Sequence, residues 1–256
     1  MGIFELMKQD MGTRAYRAHV KANRLNDTGK LTEAEAQYKK AMEMYEEAEK
    51  KGFTSPRIVT GYCVLLMREN RFDKAEPMIA EMCGDPEIKD NDKYLLKIDH
   101  AVCLWKLGDT DGALEEMKEL SGQKIGLYYN VMSAILVQKG HDTGDYSEAE
   151  DFCAKAIDYD DDDIICINSM GWLKYYTGDI EGAKVYFKKA VKQNERYAPA
   201  LTGLALICHE AGDDKKAKEL IDRALAVHYP TTTPVPRSFA VSPSPGVHSN
   251  SRPSSQ

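Results

Sequence analysis

One phrase returns six times along this chain. It reads DTGKLTEAE at 27–35, RENRFDKAE at 68–76, KLGDTDGALE at 106–115, TGDYSEAE at 143–150, YTGDIEGAK at 176–184 and EAGDDKKAK at 210–218. Each copy carries one alanine in register: Ala34, Ala75, Ala113, Ala149, Ala183 and Ala217, spaced 41, 38, 36, 34 and 34 residues apart. A spacing that settles at 34 is the length of one helical hairpin. The chain is therefore expected to stack copied hairpins into an array in which each unit buries only its neighbours, rather than to close one compact core.

The copy at 164–197, IICINSMGWLKYYTGDIEGAKVYFKKAVKQNERY, shows the physics. Met170 and Gly171 sit on a first helix whose small residue admits a second helix closely. Thr177-Gly178-Asp179 turns the chain, with the glycine free for positive φ and Asp179 ready to cap the next helix. Ala183, Tyr186, Phe187, Ala190 and Val191 then recur at spacings of three and four, one apolar stripe on a second helix, with Lys184, Lys188, Lys189 and Lys192 on the water side. Two amphipathic helices of roughly 14 residues each are expected. The same slots recur in the other copies. The close-approach position holds Ala22, Cys63, Ala101, Ser133, Gly171 and Ala205; the bulky one Tyr38, Ile79, Met117, Cys153, Phe187 and Ile221; the next small one Ala41, Met82, Leu120, Ala156, Ala190 and Ala224.

This pattern resembles the tetratricopeptide repeat, over about residues 12–229. The resemblance implies an all-α, right-handed solenoid of about six antiparallel helix-turn-helix repeats. Copies two and three lack the second small residue. The long first interval predicts that the helix around Met42–Lys51 runs an extra turn or two. Gly140 already sits where a turn glycine belongs, so His141-Asp142-Thr143-Gly144 reads as a four-residue insertion in the turn.

Two units are expected: the solenoid at 1–229 and a disordered Ser/Pro-rich tail at 230–256, where Pro and Ser make up half the residues and no apolar period remains. Ile3, Phe4, Leu6, Met7 and Met11 suggest a short helix closing the first repeat. At the other end no capping helix follows, so Leu220, Ile221, Leu225 and Val227 are expected to leave an uncapped apolar face, either a homodimer contact or a fraying end. The net charge is −7, and since the tail carries only Arg237 and Arg252, the body holds −9. Such a body disfavours nucleic acid. No apolar stretch suits a membrane span and the N-terminus lacks a signal-peptide pattern, so a cytoplasmic protein is expected.

Chemistry is sparse. No GxSxG, P-loop, GxGxxG or HExxH occurs, and the six cysteines are scattered singly without zinc spacing. No catalysis, cofactor or metal is expected. The acidic run Asp158–Asp163 lacks the glycine and distal glutamate of a calcium loop and reads as a solvated linker whose last aspartates favour the next helix start. His100 and Cys103 read as core.

In the tetratricopeptide family the first helices line a concave groove. Carrying that geometry over places Asn23, Met67, Trp105, Asn130, Asn168, Trp172, Tyr175 and Tyr176 in it. Exposed tryptophans and tyrosines would leave a large apolar surface that marks a partner site, and the asparagine amides could hold a ligand backbone. The alternative is that Trp105 and Trp172 wedge between adjacent hairpins. At the positions where relatives of this family clamp a terminal carboxylate, this chain offers His19, Asn23, Gly61, Leu95 and Asp99, and Asp99 would repel such a group. The resemblance thus implies a non-catalytic scaffold or adaptor for a peptide or helix segment. A regulatory sensor of a short peptide or small ligand in the same groove remains the alternative.

Overall fold

The computed structural model describes residues 3–53, 55–122 and 125–225, with side chains from residue 11 onward. The Ser/Pro-rich tail, Val227 and the side chains of Ile3, Phe4, Leu6 and Met7 lie outside the described residues. Twelve α-helices and one short 3-10 helix are present among those described, and no strand.

The helices form six antiparallel hairpins: α1 (Ile3–Asp27) with α2 (Leu31–Lys50), α3 (Pro56–Arg68) with α4 (Phe72–Gly84), α5 (Asp90–Leu107) with α6 (Thr110–Glu119), α7 (Gly126–Thr143) with α8 (Ser147–Tyr159), α9 (Ile164–Tyr176) with α10 (Ile180–Gln193), and α11 (Ala198–Glu210) with α12 (Asp214–Leu225). Contacts run within each hairpin and to the next one, so the molecule is an all-α solenoid. α1 is one continuous helix reaching back to Ile3, not a separate closing helix ahead of the first repeat. α2, at 20 residues, runs about two turns longer than α4 or α8, which absorbs the wide first interval.

The repeated phrase works through its turn. Gly29, Gly108, Gly144, Gly178 and Gly212 all have positive φ, and in the second copy, which has no glycine there, Asn70 takes φ 60° instead. In the fourth copy the sequence expectation needs correcting. α7 continues through Gly140 and ends at Gly144, so the four extra residues add one helical turn and Gly144 is the turn glycine. Asp109 and Asp179 cap α6 and α10 by accepting from the backbone N–H of Gly112 and Gly182, each at 2.9 Å.

The six alanines are all buried, as are the six close-approach residues. The crossing of α9, α10 and α11 shows why small residues are needed. Phe187 lies between two glycines: a Cβ on Gly171 would come within 2.7 Å of its ring, and one on Gly203 within 2.4 Å. At the last hairpin, Leu220 and Ala224 are buried with Leu201 and Ala205 of α11, and Ile221 packs partly against them. Leu220, expected on an uncapped apolar face, is thus covered, while Leu225 is 55% exposed. The acidic run is a structural joint. Asp163 caps α9 by accepting from the N–H of Ile165 and Cys166 at 2.8 and 3.0 Å, and Lys189 and Gln193 of α10 hold the carbonyls of Asp161 and Asp162.

Candidate functional site

Successive first helices pack directly along most of the inner face, α1 on α3, α5 on α7, α7 on α9 and α9 on α11. The backbones of α3 and α5 stand farther apart. A groove of about 700 Å³ opens there, walled by α1 and α3 on one side and by α5 and the loop before it on the other. It is lined by Tyr16, His19, Val20 and Asn23 of α1, by Ser55, Pro56, Arg57, Thr60, Gly61 and Val64 at α3, and by Glu87, Ile88, Lys89, Asp92, Leu95, Leu96 and Asp99.

A helix advances roughly 100° per residue, which explains the lining. Measured from the buried small residue of each first helix (Ala22, Cys63 or Ala101), groove residues fall at offsets −6 (Tyr16, Arg57, Leu95), −3 (His19, Thr60), −2 (Gly61, Asp99) and +1 (Asn23, Val64). Those offsets form a stripe about 60–160° from the small residue. Met67 and Trp105, at offset +4, turn only about 40° from it and point into the packing instead. Both are fully buried.

The expected partner surface is therefore corrected residue by residue. Of the eight candidates, only Asn23 lines this groove, and its Oδ1 accepts from the Tyr38 hydroxyl at 2.7 Å. Trp105 is 0% exposed and Trp172 1%, so the wedge alternative describes both. Trp172 has the same offset as Asn23 and Val64, but Tyr175, Tyr176 and Phe187 wall it in, with ring centroids 5.8, 5.7 and 5.1 Å away. Asn168 is fully buried, and buried Asn130 donates to Asp163 at 3.3 Å, tying α7 to the cap of α9. Tyr175 and Tyr176 are half-buried; the Tyr175 hydroxyl donates to Glu210, and Tyr176 stacks on His141 at 4.2 Å. What the sequence reading missed is the α4–α5 loop, Glu87 to Lys89, which carries no helical period to reveal it.

Electrostatics sort the groove's charges. Arg57 is engaged: its Nη2 donates to the Tyr16 hydroxyl at 3.1 Å, and its guanidinium lies 4.6 Å from that ring's centre. His19 is held neutral, since burial first and the Arg68 guanidinium second push it down to about 4. Arg68 is itself buried, paired with Glu35 at 2.8 Å and 3.9 Å over the Tyr38 ring. Asp99 lines the groove with no hydrogen bond or ion pair among the described residues, and burial pushes its carboxyl up to about 7. On the opposite side of α5, His100 corrects its reading as core. It is half-buried, with Nδ1 2.6 Å from Glu116 and Nε2 3.1 Å from Glu76, a staple joining α4, α5 and α6. Cys103 is buried, and all six cysteines are free thiols.

Models of the tetratricopeptide repeat match residues 14–52 and 175–230. A structure of human IFIT1, a dimer with m7Gppp-AAAA, superposes with TM-score 0.59 at 16% identity, covering 77% of this chain and 47% of that one. A tetratricopeptide repeat protein from Parabacteroides merdae superposes with TM-score 0.50 at 16% identity, covering 83% of this chain and 80% of the other. At such identities the likeness concerns the fold. An uncharacterized protein, ycf37 of Pyropia yezoensis, is 34% identical over 61 residues, 24% of this chain and 34% of that protein, so the chain spans about a third of the curated relative it matches. Helical hairpins stacked in register around an inner groove define a repeat solenoid of the interaction type. Tetratricopeptide repeats are thus matched at both ends of an array whose six hairpins all share that fold.

Proposed function

We propose that this protein is a non-catalytic scaffold or adaptor that holds a polypeptide segment in the groove between α1, α3 and α5. The observation that carries the reading is the gap between α3 and α5. It leaves about 700 Å³ against mixed walls, with Val64, Leu95 and Leu96 offering apolar contact and Asn23, Thr60 and Ser55 offering hydrogen bonds. Leu95 is 44% exposed, an apolar side chain without cover in a concave setting. The human IFIT1 structure holds m7Gppp-AAAA, a likeness that reaches the fold alone, and this groove, lined by Glu87, Asp92 and Asp99 with Arg57 and Lys89, carries no cationic excess that would favour a comparable anionic occupant. The groove's volume also falls among those of small-ligand pockets, which supports the sensor reading as second choice.

A photo-crosslinking amino acid at Leu95, with one at exposed Val185 of α10 as control, tests the reading in lysate of the source cells. Discrete polypeptide adducts from position 95 and none from 185 are expected. Equal labelling at both positions would refute groove binding. Thermal stabilisation by a small metabolite, with no polypeptide adduct, would favour the sensor.

A further inference from the structure

Asp99 is the unsatisfied group of this groove. Its carboxylate lines the cavity, and no described side chain or backbone N–H meets it. The cations nearby do not serve it. Arg57 turns to the neutral Tyr16 hydroxyl and ring and keeps its charge, and Lys89 is an exposed residue ahead of α5. His19 across the groove stays neutral. Asp99 is only partly exposed; a partly desolvated carboxylate without a partner is costly, and inside a low-dielectric cleft a single incoming cation is worth more than at the surface. Exposed Leu95 lies one helical turn before Asp99 on the same face, where an aliphatic stem could lie against it. Glu87 and Asp92 sit at the same wall and add to the negative field.

We infer that the groove takes an extended polypeptide segment presenting a lysine or arginine side chain, whose cation seats on the Asp99 carboxylate while its methylene stem covers Leu95. This rests on the groove-binding reading and adds the chemistry of the partner. Charge complementarity favours that occupant: a terminal carboxylate, a phosphate or an RNA would meet the unpaired Asp99 at this seat, and among the described residues three acidic side chains line the groove against two cations, Arg57 and Lys89. Burial favours the neutral acid when nothing pairs it, and a bound cation would return it to the ionised form.

The probes are four pools of acetylated, fluorescein-labelled peptides with apolar flanks and a fixed central Lys, Arg, Gln or Glu, followed by fluorescence anisotropy on the full chain. The Lys and Arg pools are expected to bind about tenfold more tightly than the Gln pool, corresponding to about 1.4 kcal/mol, with the Glu pool weakest. Asp99→Asn should erase that preference and leave the Gln pool within about twofold. Leu95→Lys, at an exposed position one turn from Asp99, supplies an internal cation and should erase it as well, covering the case in which the first variant folds poorly. Equal binding of all pools to the wild-type chain would overturn the cation seat while leaving groove binding intact. A preference for Glu, or one surviving in both variants, would overturn it too. Binding by no pool, joined with an absence of crosslinks at position 95, would remove both readings.

Discussion

Trp172→Ala separates a packing tryptophan from a binding one. The side chain is 1% exposed, so nearly all of roughly 200 Å² leaves water on folding. At about 25 cal/mol per Å² that burial is worth about 5 kcal/mol. The indole also meets Phe187 edge-on at 5.1 Å, and Phe187 is gripped by Gly171 and Gly203, so the surroundings cannot close over a void without moving two helices. Allowing for the methyl that alanine keeps, the loss is about 3–5 kcal/mol. Because stability in a solenoid is held between neighbours, the damage should centre on the α9–α11 region. Urea unfolding followed by circular dichroism should show a lower midpoint, and hydrogen exchange should show the largest loss of protection in α9, α10 and α11. Tyr175→Ala, at a half-buried position, should cost clearly less. A Trp172→Ala protein with wild-type midpoint and protection would refute the packing assignment and restore the residue as a surface contact.

Two further expectations follow from individual contacts. His100 is raised above its ordinary 6.5 chiefly by its hydrogen bond to Glu116 and further by Glu76, with burial opposing. Its folded value exceeds its unfolded one, so the stabilisation is fully present below pH 6.5 and is lost as pH climbs through the folded value; His100→Gln should flatten the stability profile above pH 6.5, and an unchanged slope there would dismiss the staple. Asn70 holds φ 60°, a conformation that costs most side chains about 1–2 kcal/mol; Asn70→Ala should lower the unfolding midpoint and Asn70→Gly should not, so equal losses in both would point to a side-chain contact rather than backbone strain.

The hairpins, their turns and their seams were legible because they depend on local rules. A glycine or asparagine before Asp, Lys or Arg turns the chain in each copy, and the key alanine, twelve residues after the small residue and sixteen in the fourth copy, is buried as that residue is. The unusual length of α2 showed in the spacing of Ala34 and Ala75 alone. Gly140 misled because a glycine can continue a helix as well as end one, and only the backbone showed that Gly144 held the positive φ. The partner site was legible in part. His19, Asn23, Gly61, Leu95 and Asp99 emerged from the family register and do line one groove. Met67 and Trp105 failed because a residue four positions on turns back toward the core. Trp172 failed for a different reason, since aromatic neighbours cover a position that is open in the first two repeats.

Sequence by itself determined that twelve helices pair and stack, since periodicity and turn chemistry act over a few residues and survive any arrangement of the rest. Tertiary structure decided where the stack opens. Whether α3 meets α5 depends on how the hairpins lean and on the path of the α4–α5 loop, and neither leaves a repeating mark in the chain. That lean leaves Asp99 in a cleft facing no partner, while His100 beside it, turned roughly 100° around the same helix, is clasped by two glutamates.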